Sequence, residues 1–136
     1  MRFDTKIAVV VLGELPVWQK LNVTAFTASG VAATVPGVTG EPYEDGSGNP
    51  YLPMFRQPVL VFEADAAQIR QAFDRAMAAG LRPAIFTRDL FATGHDEANR
   101  AAVKARAFQD LDLAGFALRG ERGAVDKVVK GLKLHG

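Results

Sequence analysis

The sequence predicts an α/β protein, a three-layer α/β/α sandwich around a four-stranded, mostly parallel mixed sheet. Two observations carry that expectation. Four short apolar runs rich in β-branched or aromatic residues (KIAVVVL, VLVFE, RPAIFT and LDLAGFAL) recur along the chain, and stretches of helical periodicity separate them. The balance of 49% hydrophobic and 23% charged residues over 136 positions is that of one ordinary globular domain. Residues 1–136 are therefore read as a single α/β domain, with an inserted Gly/Pro-rich loop or hairpin at about 36–57.

Lys6–Leu12 is the first strand, apolar on both faces and ended by Gly13. Pro16 sits where a helix tolerates a missing N–H, and the helix runs from Val17 until Pro36 and Gly37 stop it near Thr34. At 100° per residue, Val17, Leu21, Ala25, Ala28 and Ala32 share one apolar face, expected to lie on the sheet. Lys20, Thr24, Thr27 and Val31 form a stripe along the edge of that face. Lys20 and Thr24 then fall beside the carboxyl end of the first strand, where open α/β sheets bind ligands.

From Val35 to Pro58 prolines and glycines alternate, and Tyr43 and Tyr51 flank EDGSGNP as a wide hairpin turn. The apolar side chains of this stretch mark it as ordered, either covering a site or forming a subunit contact. Val59–Glu63 is the second strand. Asp65 and Gln68 have capping-box spacing ahead of a helix with Ile69, Ala72, Phe73, Ala76 and Met77 on one stripe and Gly80 just past its end. Arg82–Thr87 is the third strand and Asp96–Phe108 an alanine-rich helix. Leu111–Leu118 is the fourth strand, and Val125, Val128, Val129 and Leu132 mark a final helix.

Several function classes are excluded or disfavoured by composition. The absence of cysteine removes disulfides, thiolate metal sites and cysteine nucleophiles. A formal net charge of +1 supplies no strong field for nucleic acid or membrane. No apolar run approaches the length of a membrane span, and Gly13 and Glu14 interrupt Ile7–Leu12 too early for a signal peptide, so a cytoplasmic location is expected. Asp45-Gly-Ser47-Gly-Asn49 begins like a calcium loop, but Pro50 stands where that loop needs Gly and Arg56 where it needs Glu. His95 and His135 are too few for a metal site, and are read as a loop residue and a frayed end. No metal and no cofactor are expected. Lys127, Lys130 and Lys133 read as a solvated helix face.

Lys20, Asp89 and Thr93 are the polar residues that would converge at one end of the sheet. An ammonium and a carboxylate facing each other there can orient a water and stabilise an oxyanion. The bland alternatives are a snorkelling lysine, a turn-capping aspartate and Thr93 as a helix N-cap with Asp96 at N3.

The order of these pieces resembles the archaeal and eukaryotic (class II) type of peptidyl-tRNA hydrolase. The likeness begins at KIAVVV and the helix bearing Lys20, and resumes at PVLVFEADAAQIRQAFDRAMAAGL. It continues through RPAIFTRDLFAT and ends in LAGFALRGERGAVDKVVKGLKL. Its most specific part is Arg88-Asp89 with Thr93 four residues past the Asp, similar to that family's R-D-x-x-x-T segment. The departures are Thr24 where the family has glutamine, Leu15–Gln19 in place of a Gly/Lys-rich approach, and insertions at Tyr43–Gln57 and about Gly94–Gln109. These point to a bacterial side branch of unknown function. The resemblance implies a homodimer, and tRNA among the partners.

Two readings follow. In the first, the chain hydrolyses an ester or amide: Asp89 orients water, Lys20 stabilises the oxyanion, Thr24 and Thr93 position substrate, and Arg88, Tyr43 and Tyr51 contact it. In the second, the chain is a non-catalytic ligand-binding or interaction module that kept the scaffold.

Overall fold

The structure, a computed structural model, describes residues 3–136. Its elements are β1 (Thr5–Leu12), α1 (Val17–Thr34), β2 (Tyr43–Glu44), β3 (Pro50–Tyr51), β4 (Val59–Ala64), α2 (Ala66–Ala78), β5 (Ala84–Thr87), α3 (Asp96–Lys104), β6 (Leu113–Glu121), α4 (Arg122–Val128) and β7 (Lys133–Leu134), with short 3-10 turns at Arg88–Ala92 and Phe108–Asp110.

The main sheet has five strands in the order β5-β6-β1-β4-β7, not four. The extra strand pairs Phe62 with Leu134 and Glu63 with Lys133. Two residues are too few to show an alternation, so β7 leaves no periodic trace in the sequence. The sheet is also less parallel than expected. β1 runs parallel to β4, but β6 lies between β5 and β1 and runs against both, and β7 runs against β4.

β1 is central because each of its residues from Ile7 to Leu12 is at most 1% exposed. Such a run can only be satisfied with a covered strand on each edge and helices on both faces. Its alternation divides the core. Val11 lies opposite Gly115 on the face that carries α1, and Val10 lies opposite Phe116, whose ring meets Phe73 of α2 at 5.9 Å. α1 packs over β6, β5 and β1, while α2 and α4 pack on the other face.

The seating of α1 differs from expectation. Val23, Thr27 and Val31 are buried, whereas Val17 and Leu21 are 70% and 66% exposed and Ala25 and Ala32 are exposed as well. The helix lies close to the sheet through glycines: a Cβ on Gly30 would stand 2.7 Å from the Cβ of Ala84, and one on Gly115 would collide with the Val23 side chain. The buried Thr27 hydroxyl donates to the Val23 carbonyl at 2.7 Å, so it is satisfied within the helix. Periodicity misjudged the face because Lys20 is the only charged residue in α1, leaving no charged stripe to mark the solvent side.

α2 follows its signals closely. Asp65 accepts from the Gln68 N–H at 2.8 Å, and the Gln68 side chain accepts from the Asp65 N–H at 2.9 Å. Gly80 has φ +75°, and the N–H groups of Leu81 and Gly80 bond the carbonyls of Ala76 and Met77, the two bonds of a Schellman ending. α3 is shorter than expected, and its N-cap is His95 rather than Thr93. Between α1 and β4 the chain forms a two-stranded arm, held by Gly40 N–H to Met54 O, Arg56 N–H to Val38 O, and the pairing of Tyr43 with Tyr51. Among the described residues no helix is long and apolar enough to cross a membrane.

Candidate functional site

β1 and β4 are adjacent and parallel, and the helices that follow them go to opposite faces of the sheet. That divergence opens a crevice at their carboxyl ends, the switch point where α/β sheets hold ligands. The Gly13 N–H donates to Ala64 O at 3.0 Å and ties the two strand ends together. The crevice, about 690 Å³, is lined by Gly13, Glu14, Glu63, Asp65, Gln68 and Lys133 among others.

Lys20, the fourth residue of α1, is linked to the crevice lining through His135 and Glu63. Its Nζ is 3.1 Å from His135 Nε2. His135 is anchored by its own N–H, which donates to Val61 O at 2.8 Å, and its Nδ1 lies 2.8 Å from Gly136 O. With the ring proton assigned to Nδ1 and given to that carbonyl, Nε2 is left to accept one N–H of Lys20. Glu63 stands behind, its Oε2 3.9 Å from the same ring nitrogen. His135 is thus an ordered part of the site and not a frayed end. The Lys20 ammonium keeps two N–H donors for something else.

The other expected residues are placed elsewhere. Asp89 follows β5 at the far edge of the sheet, four strand spacings, or about 19 Å, from β7. Its carboxylate is gripped in a fork by Arg106, with Nε to Oδ2 at 2.5 Å and Nη2 to Oδ1 at 3.0 Å. The hydrogen bonds from Arg106 hold the Asp89 carboxyl below the usual carboxylate range, and Asp89 in turn raises Arg106. The Thr93 hydroxyl is shared between Leu90 O at 2.9 Å and the Asn99 side chain. It lines a groove with Trp18 and Asn22 on the side of α1 away from Lys20. The structure therefore brings Lys20 to His135 and Glu63, and does not bring it to Asp89 or Thr93.

Thr24 donates to Lys20 O at 2.8 Å within α1. Arg88 bridges Glu14 at 2.7 Å and Asp112 at 3.5 Å, so it braces the loop after β1 against the start of β6. Tyr43 and Tyr51 are on the arm, half exposed, with the Tyr51 hydroxyl donating to Asp45 at 2.8 Å. Sequence reasoning missed Glu63, Lys133, Arg106 and His135. Glu63 carried a signal, as the one charge ending an otherwise apolar strand. No local signal links Lys20 to His135, 115 residues apart. No cluster of three or more metal-ligating side chains occurs among the described residues.

Fold and site together define a mixed-sheet α/β protein with a polar crevice at its switch point. The chain belongs to the DUF2000 family, described as proteins of unknown function, whose model matches residues 5–136. It is similar to a solved structure of a protein of unknown function, Atu0240 of Agrobacterium tumefaciens strain C58. The two are 44% identical, with a TM-score of 0.96 over 99% of this chain and 100% of that one. A comparison with curated proteins found no match.

Proposed function

We propose that this chain binds a small polar ligand in the crevice between the ends of β1 and β4. The observation that carries the reading is the Lys20 ammonium held at 3.1 Å by His135, with two donors left over, beside the Glu63 carboxylate 3.9 Å from the same ring nitrogen. A ligand matching both would present an acceptor oxygen to Lys20 and a donor to Glu63, as the carboxylate and amine of an amino acid or the end of a short peptide do. His135 serves this reading as the residue that orients Lys20. Both its ring nitrogens are engaged, which leaves no free nitrogen to take a proton from water.

Titration of the labelled protein with a panel of amino acids and dipeptides, followed by amide chemical shifts, tests it. Shifts centred on Gly13, Glu63, Gln68 and Lys133, and weakened at least tenfold in Lys20→Met and Glu63→Gln, are expected. A flat response to the whole panel would overturn the reading.

A second reading, ester or amide hydrolysis on a peptidyl-tRNA hydrolase II-like fold, is favoured by the Arg88-Asp89…Thr93 spacing and by the ionised state in which Arg106 keeps Asp89. It requires Arg106 to release that carboxylate and Lys20 to reach it. Peptide release from peptidyl-tRNA that disappears in Asp89→Ala would support it, and equal release by both proteins would reject it.

A further inference from the structure

A second cavity lies toward β5, on the side of α1 away from Lys20. It is a groove between α1 and α3, floored by Phe86 and Leu90, in which adjoining hollows of about 340 and 540 Å³ share Phe26 and Asn99. Its α1 wall runs from Trp18 to Gly30, about 18 Å of helix. Two aromatic rings stand on that wall. Trp18 meets Phe91 at 6.0 Å and Phe26 meets Phe86 at 5.6 Å, both edge to face, so each is held by a ring of the floor or the turn after it. Even so, Trp18 remains 59% exposed and Phe26 54%.

Beside Trp18 the groove presents hydrogen-bond donors. The Asn99 side-chain oxygen accepts from the Thr93 hydroxyl, which leaves the Asn99 amide N–H groups unengaged. Asn22 lines the same hollow and makes no side-chain hydrogen bond among the described residues. His95 Nδ1 accepts from the Ala98 N–H at 3.2 Å; with the ring proton accordingly assigned to Nε2, that nitrogen is a further donor. Past Phe26 the α3 wall turns cationic. Arg100 pairs with Asp96 one turn back, whereas Lys104 has no carboxylate within ion-pair distance among the described residues.

We propose that this groove binds a flat heteroaromatic acid. Its ring lies on Trp18, an acceptor atom on the ring edge takes an N–H from Asn99, Asn22 or His95, and its carboxylate points along the groove to Lys104. An apolar cleft with a few placed polar groups is the ordinary form of a small-molecule site. Because Phe91 and Phe86 already fix the two aromatic side chains, little side-chain freedom is lost when a ring settles on them. A straight-chain acid would satisfy Lys104 and leave the donors beside Trp18 without an acceptor. A neutral ring would do the reverse. The groove shares no residue with the Lys20 crevice, so it stands whether or not an amino acid binds there.

Titration of the labelled protein with cinchoninate (a quinoline carboxylate), quinoline and decanoate tests the inference. It is read at the indole N–H of Trp18, the one tryptophan in the chain, and at the side-chain amides of Asn22 and Asn99. Saturable shifts of these groups by cinchoninate are expected, with a dissociation constant of about a millimolar, as befits a ligand of that size. Quinoline should bind at least tenfold more weakly, and decanoate should move none of them. Trp18→Leu, read at Asn99, and Lys104→Glu should each weaken cinchoninate at least tenfold. Lys130→Glu, at an exposed lysine beyond α4, should leave it unchanged. Thermal melts within a few degrees of wild type confirm that each variant folds. No saturable shift, or shifts centred on Gly13 and Glu63 instead, would overturn the proposal. Equal binding of quinoline or decanoate, or a Lys104→Glu protein that binds like wild type, would overturn it as well.

Discussion

Asp45 shows how one side chain can organise a loop. Its carboxylate accepts from the Ser47 N–H at 2.9 Å, the Asn49 N–H and side-chain amide each at 3.0 Å, and the Tyr51 hydroxyl at 2.8 Å. These bonds, those of Asn49 foremost, hold its carboxyl far below the ordinary range, and Asp45 in turn raises Tyr51. The residues of the calcium-like spacing are thus committed to one another. A depressed carboxyl stabilises the fold above its unfolded value near ~3.9 and loses that contribution as pH falls through its lowered value. A raised phenol contributes below its unfolded value near ~10 and is lost as pH rises through the folded one. Amide shifts of residues 45–51 should therefore stay constant from about pH 5 to 9 and move only outside that window. Tyr51→Phe should remove the alkaline movement and keep the acid one. Movement centred near pH 7 would contradict the assignment.

Among the elements, α2 and α1 make opposite cases. α2 was legible at both ends because its caps are local chemistry: Asp65 and Gln68 satisfy each other's N–H groups, and Gly80 supplies the left-handed residue. Asp65→Ala should lower the stability by about 1 kcal/mol, seen as a fall in the urea midpoint at constant slope. α1 was legible in its bounds and misread in its orientation. A helix with one charge offers two candidate faces, and the choice fell to Gly30 and Gly115, which let Val23 and Thr27 close on β5 and β6. β7 was invisible, and α3 begins at Asp96 as expected but ends at Lys104 instead of Phe108, with a cap by His95 that its sequence does not advertise.

For the whole molecule, the decisive contact is the one between layers. A Cβ at position 115 would stand 2.7 Å from Val10 O in the central strand, an atom that cannot retreat without breaking the sheet ladder. Gly115→Ala should therefore destabilise the fold by about 1–3 kcal/mol and lower Tm by several degrees. An unchanged melt would mean that α1 sits farther from the sheet. The strand order has a matching consequence for the site. With β6 inserted between β5 and β1, Asp89 is carried to one edge while β7 brings His135 to the other. The sequence by itself determined the succession of strands and helices, their caps and the apolar central strand, because those rest on contacts within a few residues. The outward face of α1, the fifth strand and the meeting of Lys20 with His135 were decided only by tertiary structure. They depend on pairings across as many as 115 residues, which a sheet ladder sets and local periodicity does not encode.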